Sequence, residues 1–357
     1  MCRSSFEVKR RKFMTVVDTI FKATNVILRR AIASSLSVIA VGVLVPFVSG
    51  YPPAYASGQD LGVYPPWSHG ENNPVESRGL EFTVPEVDNL PDFHGNPINP
   101  KLSIFVGGNY FFAMAPLVQA FEKKHPELKG KVYYETIPPG LLAEQIKHGG
   151  TITVGNMTWT VHADVYAAGL RRIRSSIKEG DATGPAIPYA TNTLAIMVPK
   201  GNPARIATLN DLGKPGVRLV MPNPAFEGIG RQIKNSLAKA GGEELVRVVY
   251  ETKVKNGETL LTHIHHRQSP LYLMQGKADA GVTWQSEAIF QEQVGNPIDH
   301  VSIADDQNAT GIYAVAMVKG APHRAAGKKW IEFLKSPEAQ EIFGHFGFKS
   351  YQGEAPQ

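Results

Sequence analysis

The stretch GIYAVAMVKGAPHRAAGKKWIEFLKSPEAQEIFGHFGF, Gly311 to Phe348, holds an apolar strand, a polar turn and an amphipathic helix. Lys335-Ser336-Pro337-Glu338 then restarts the chain as a second helix, with Ser at a capping position and Pro inside the first turn. Working outward, TLAIMVPK at 193–200 resembles YAVAMVK at 313–319. From Lys101 onward, short apolar runs alternate with helical patterns. Strands are predicted at Leu102–Val106, Val132–Ile137, Leu194–Val198, Arg218–Met221 and Ala280–Trp284. Helices are predicted at Asn109–His125, Leu141–His148, Gly228–Ala240 (ended by Gly241-Gly242) and Ser286–Val294, with a capped turn at Thr208–Leu212. Strand followed by helix, repeated, implies an α/β protein built on a parallel sheet with right-handed crossovers.

The segment 311–348 is similar to the last lobe-crossing strand and C-terminal helices of type II periplasmic solute-binding proteins, above all their molybdate- and tungstate-binding branch. The resemblance covers about residues 101–350. It implies an α/β, two-lobed type II periplasmic binding protein fold: parallel-type sheets flanked by helices, with two hinge crossovers. The expected layout is lobe 1 from 101 to 190 plus 310 to 357, and lobe 2 from 191 to 309. It further implies a periplasmic protein that captures a small ligand between the lobes and delivers it to the membrane subunits of an ABC importer.

The N-terminus reads as a leader. Lys9-Arg10-Arg11-Lys12 and Arg29-Arg30 are basic, Leu36–Val48 is apolar, and Ala54-Tyr55-Ala56 fits a small-x-small cleavage site. The apolar run is shorter than the roughly 20 residues that span a bilayer, and Pro46 interrupts it. Residues 1–56 are therefore expected to be a cleaved signal peptide, by the general or the twin-arginine route. They hold eight of the 37 Lys and Arg and two of the 32 Asp and Glu, leaving 29 basic and 30 acidic residues. The balance beyond the leader gives no support for nucleic-acid binding. The single cysteine, Cys2, lies inside the leader, so no disulfide or Cys-ligated metal is expected. Residues 57–100 are rich in Pro, Gly and Asn and form an extension, with Trp67, Phe82 and Phe93 as anchors. If that extension serves a partner, the chain could be a periplasmic sensor or accessory module.

Ligands of open α/β sheets sit outside the carboxyl ends of the strands, where helix N-termini offer free N–H groups. Four loops qualify. Gly107-Gly108-Asn109-Tyr110 lets backbone approach a ligand, with Asn109 as a cap or a donor. Pro138-Pro139-Gly140 precedes the next helix. Pro224-Ala225-Phe226-Glu227-Gly228 opens the 228–240 helix; Glu227 there is either an exposed first-turn acid or a cleft group that repels a bare anion. The fourth is His263-Ile264-His265-His266 together with Trp284. The resemblance implies a ligand hydroxyl in each of the first two loops. Neither is present here, where Gly108-Asn109 and Pro139-Gly140 stand. It also implies that the backbone N–H of His266 meets the ligand, and it puts Trp284 in place of a ligand-contacting Tyr. His265, His266 and Glu227 are metal candidates, with His162 as a possible fourth, although neighbouring His side chains on a helix would point apart. Trp159 could stack on a ligand or fill the core.

Gly-x-Ser-x-Gly, a Cys nucleophile, a dinucleotide fingerprint and a phosphate loop are all missing from the sequence, which argues against an enzyme. No cofactor is expected, and a monomer is. The ligand order that follows is an oxyanion of the molybdate or tungstate kind, then a transition metal or metal chelate, then a small organic solute.

Overall fold

The computed structural model describes residues 92–353, apart from 155, 156 and 264. The expected leader and most of the 57–100 extension lie outside the described residues. In chain order the elements begin with β1 (Asp92–His94), β2 (Leu102–Gly107), α1 (Phe111–Lys124), β3 (Val132–Ile137) and α2 (Pro139–Lys147). A hairpin of β4 (Thr151–Val154) and β5 (Met157–Thr160) leads to β6 (Val165–Gly169), α3 (Leu170–Glu179) and the long strand β7 (Ala182–Pro199). Next come β8 (Leu219–Met221), α4 (Gly228–Arg247), β9 (Thr259–Leu261), α5 (Ser269–Met274), β10 (Ala280–Trp284), α6 (Gln285–Gln293) and β11 (Ile298–Ser302). The chain closes with β12 (Thr310–Val318), α7 (Arg324–Phe333), α8 (Pro337–His345) and β13 (Lys349–Ser350).

The strands line up as β1-β3-β2-β6-β12-β7-β10-β8-β9, with β11 and β13 also paired to β7. The sheet is mixed, with parallel units joined through antiparallel crossing strands. Parallel pairing holds for β2 with β3 and β6, and for β8 with β9 and β10. The two segments with similar sequences, β7 and β12, run antiparallel to each other and to their other neighbours. They join two lobes. Residues 182–193 of β7 pair with β12 and residues 194–199 with β10 and β11. The extension ends in β1, an edge strand antiparallel to β3.

Both faces of each lobe's sheet are covered, which explains why β2 and β8 are buried throughout. Leu102, Ile104 and Val106 face α1 and the C-terminal helices, where Trp330, Phe333 and Phe343 pack. Phe105, on the opposite face, meets Leu142 of α2 and Ile173 of α3. In the second lobe Leu194, Leu219 and Val282 face Ile233 and Leu237 of α4. Local signals set the helix ends. Ser336 Oγ accepts from Ala339 N at 3.3 Å, with Pro337 at the first helical position. The predicted stop at Gly241-Gly242 is a kink: Gly242 takes a φ of 71° that only glycine adopts freely, and helical turns resume beyond it.

Candidate functional site

On the first lobe, β2 runs into the turn Gly108–Tyr110 and β3 into Pro138 at the head of α2. The two turns touch. A Cβ on Gly107 would stand 3.1 Å from Pro139 Cγ and 3.2 Å from Asn109 Oδ1, so a side chain would push them apart. Asn109 is buried and caps nothing. Its Nδ2 donates instead to Tyr313 Oη on β12, at 2.5 Å. That replaces the capping role expected for it. Pro139 O accepts from Tyr166 Oη at 2.6 Å, while Gly140 is exposed and its Cβ position is open.

On the second lobe, Glu227 corrects the expectation of an exposed first-turn acid. It is 6 % exposed, in extended backbone just before α4. Its Oε2 accepts from the His266 backbone N–H at 2.6 Å and lies 2.9 Å from His266 Nδ1. Its Oε1 accepts from Asn223 N at 3.2 Å and from the Thr262 hydroxyl. The His266 N–H expected at a ligand is thus held by Glu227. His266 Nε2 lies 3.0 Å from Glu287 Oε1, an ion pair out of line for a regular hydrogen bond. Glu287 in turn accepts from the hydroxyl of Thr283 at the end of β10. Burial pulls the His266 pKa down, but the Glu287 charge and the contacts with both carboxylates outweigh it and raise it to about 9. His266 is therefore an imidazolium between two carboxylates.

His265 behaves in the opposite way. Burial first, then the His266 and Arg267 charges, hold its pKa well below the usual histidine value. Its Nδ1 accepts from Arg267 N at 3.4 Å. The two rings do not point apart, because His265 is in extended backbone and not on a helix. Their centroids are 3.8 Å apart. A carboxylate oxygen of Glu227 and one nitrogen each of His265 and His266 lie within 4.8 Å of one another. His266 can serve as a ligand only after losing its proton, against the pull of both glutamates.

The remaining candidates scatter. Trp284 is buried, and Gly311 makes room for it, since a Cβ there would come within 2.5 Å of the indole. Its ring packs edge-on to Tyr313, so it is a wall of the crossing strands. Trp159 sits on the hairpin: it meets Phe93 edge-on at 4.5 Å, and Nε1 donates to Tyr133 Oη at 3.4 Å. His162 lines a separate hollow of about 210 Å³ with Lys147, Asp181 and Lys319. Phe226 is partly exposed, at 39 %.

Sequence reading missed Arg267, Glu287 and Thr262. Arg267 is 5 % exposed, and its guanidinium carbon lies 3.7 Å from the centroid of Phe111, a residue of the first lobe. A Cβ on Gly108 would come 3.7 Å from Arg267 Nη1. Glu287, an acid in the first turn of the helix that follows Trp284, was the readable signal for the second carboxylate. On β7, Asn192 Nδ2 donates to Ser286 Oγ at 2.7 Å.

The family model described as "Bacterial extracellular solute-binding protein" matches residues 102–349. The chain belongs to that family. Its members bind a solute and do not convert it, so this is a binding protein and not an enzyme. A sulfate-binding protein of Synechococcus elongatus is 28 % identical over 203 residues, covering 53 % of this chain and 58 % of that relative's length. A molybdate-binding protein of Mycobacterium tuberculosis is 25 % identical over 240 residues, covering 66 % of this chain and 82 % of its own. Among solved structures, the periplasmic molybdate-binding protein of Azotobacter vinelandii superposes with a TM-score of 0.55 at 17 % identity. It covers 72 % of this chain and all of its own, a likeness that establishes the type II fold. Among the described residues no helix is long and apolar enough to cross a membrane.

Proposed function

We propose that the chain captures a small oxyanion of the molybdate, tungstate or sulfate class outside the cytoplasmic membrane and passes it to the membrane subunits of an ABC importer. The observation that carries this reading is the meeting of three turns from two lobes. Gly107–Tyr110 and Pro138–Gly140 touch at Gly107, and the 265–267 segment of the other lobe reaches Gly108. Strand-to-helix turns of this kind offer backbone N–H groups to anions. The nearby acids Glu227 and Glu287 are offset by two positive groups, His266 between them and Arg267 next in the chain. A ligand touching both lobes favours the closed state by its differential affinity, with β7 and β12 as the hinge. Native mass spectrometry with elemental analysis, on protein purified from cells without chelators, tests it. One molybdenum or tungsten per chain, or a bound mass equal to one sulfate in the native spectrum, supports the reading, and an empty or organic-loaded protein counts against it.

A transition metal is the second reading, favoured by the nearness of Glu227, His265 and His266. It predicts a stoichiometric metal that leaves when His265 and His266 are both replaced by Ala.

A further inference from the structure

We propose that Tyr313 is a positioning residue for the anion-receiving turn, acting through Asn109, with Tyr189 as its companion acting through Tyr110. This rests on the reading above that the turn Gly107–Tyr110 offers backbone N–H groups to a small oxyanion.

Asparagine at the head of a helix ordinarily folds back on its own backbone, as a cap or in a local turn. Asn109 is turned the other way, to β12, where its Nδ2 donates to Tyr313 Oη at 2.5 Å. The next residue is tied as well: Tyr110 Oη lies 2.6 Å from Tyr189 Oη on β7. All four residues are buried. Breaking either bond would leave a buried polar group without a partner, at a cost of about 1–3 kcal/mol. The anchors stand at one level of the crossing strands, because Tyr313 is opposite Ala190, the neighbour of Tyr189. Successive residues of one short turn are therefore held by two different strands, which restricts both its swing and its twist. No side chain caps the turn or α1 behind it. The aim of the leading N–H groups is thus set by the tethers. That aim matters for a compact oxyanion met by backbone donors, since such donors must be held within about 0.5 Å of the productive geometry. The ring of Tyr313 also packs edge-on to Trp284 of the second lobe, with centroids 6.0 Å apart. The residue that holds the first-lobe turn thus rests on the second lobe.

Amide hydrogen exchange, and calorimetric titration with sodium molybdate and sodium sulfate, test this on Tyr313→Phe, Tyr189→Phe, Asn109→Ala and the double variant Tyr313→Phe with Asn109→Ala. In the ligand-free protein, Tyr313→Phe should speed exchange at residues 108–111 about tenfold or more while β2 and β6 keep their protection. The wild type is expected to bind at least one of the two anions, and Tyr313→Phe should weaken that binding about tenfold. Because Tyr313 acts through Asn109, the double variant should bind no more weakly than the weaker of its two parents, whereas the losses of independent residues multiply. Tyr189→Phe should loosen the same amides and weaken binding roughly threefold. Should Tyr313→Phe fail to fold, Tyr189→Phe decides, and undiminished binding with unchanged exchange at the turn overturns the proposal. Three further results overturn it: unchanged exchange at 108–111 in Tyr313→Phe, exchange that rises evenly across the first lobe, or losses that multiply in the double variant. The second of these would make Tyr313 a packing residue only. A wild type that binds neither anion removes the oxyanion reading itself, and this inference with it. A wild type that binds beside an unaffected Tyr313→Phe variant removes the inference alone.

Discussion

Both lobes bury glutamates, and Glu227 and Glu135 are treated differently. Glu227 in the second lobe receives hydrogen bonds from two backbone N–H groups, a hydroxyl and an imidazolium. Glu135, on β3 in the first, is fully buried and accepts from Tyr133 Oη at 3.0 Å, while its Oε1 has no hydrogen-bond partner. Burial raises the Glu135 pKa to about 8, and the hydrogen bond from Tyr133 only partly opposes it. Burial alone does not decide whether a carboxylate stays charged. The number and charge of its donors do. Glu227 ties together loops at the proposed cleft; Glu135 sits buried beside Tyr133.

Removing these groups should therefore change stability in opposite directions. Glu227→Ala leaves the His266 imidazolium with one partner and is expected to cost about 3–5 kcal/mol in denaturant unfolding. A cost below about 1 kcal/mol would break the comparison. Glu135→Gln should be stabilising. Its folded pKa of about 8 lies above the reference value of 4.5, so the folded state holds a proton that the unfolded chain releases. That contribution to stability is complete below pH 4.5 and is lost as pH rises through 8, at up to about 1.4 kcal/mol per pH unit. The Gln variant should lack this slope and gain roughly 2 kcal/mol at neutral pH. An unchanged slope would mean that Glu135 is ionised in the fold. His266 adds a second decline: its raised pKa stabilises the fold fully below pH 6.5, and the benefit fades as pH approaches 9. Thr262→Ala removes one donor from Glu227 and should cost about 1–2 kcal/mol. Tyr133→Phe, which removes the hydroxyl donor of Glu135, should cost about 1 kcal/mol or less at neutral pH, because its acceptor is mostly uncharged there. Equal costs for these last two would say that the two glutamates gain equally from their hydroxyl donors.

The alternation of apolar runs and capped helices made the fold readable, and β2, β3, β10, α1 and α2 fall close to their predicted places. Strand β6 and helix α3 were passed over, since Val165–Gly169 is short and three Arg follow it within five residues. The mixed sheet was unreadable because strand direction depends on tertiary pairing and not on local pattern. At the site, the sequence singled out Glu227, His265 and His266, which do come together. Their roles were hidden: which His carries the proton depends on Glu287, 21 positions further on. Arg267 was overlooked because a cation beside a His cluster looks like any surface charge until Phe111 is placed over it. Trp284 and Trp159 looked like stacking plates, and only packing shows them filling space near Gly311 and Phe93.

Strand β7 is 18 residues long and belongs to both lobes. At Ala190–Thr191 it has a strand on each side, β12 and β13, and at Ala195–Met197 it again has one on each side, β10 and β11. Between them, at Asn192 and Thr193, one edge is held by β12 and the other by side-chain bonds to Ser286 and Gln285. Mechanically, this is a beam clamped at both ends with one compliant segment. Any bending between the lobes concentrates on two residues, so amide exchange at Asn192 and Thr193 should report lobe motion while the flanking amides stay protected.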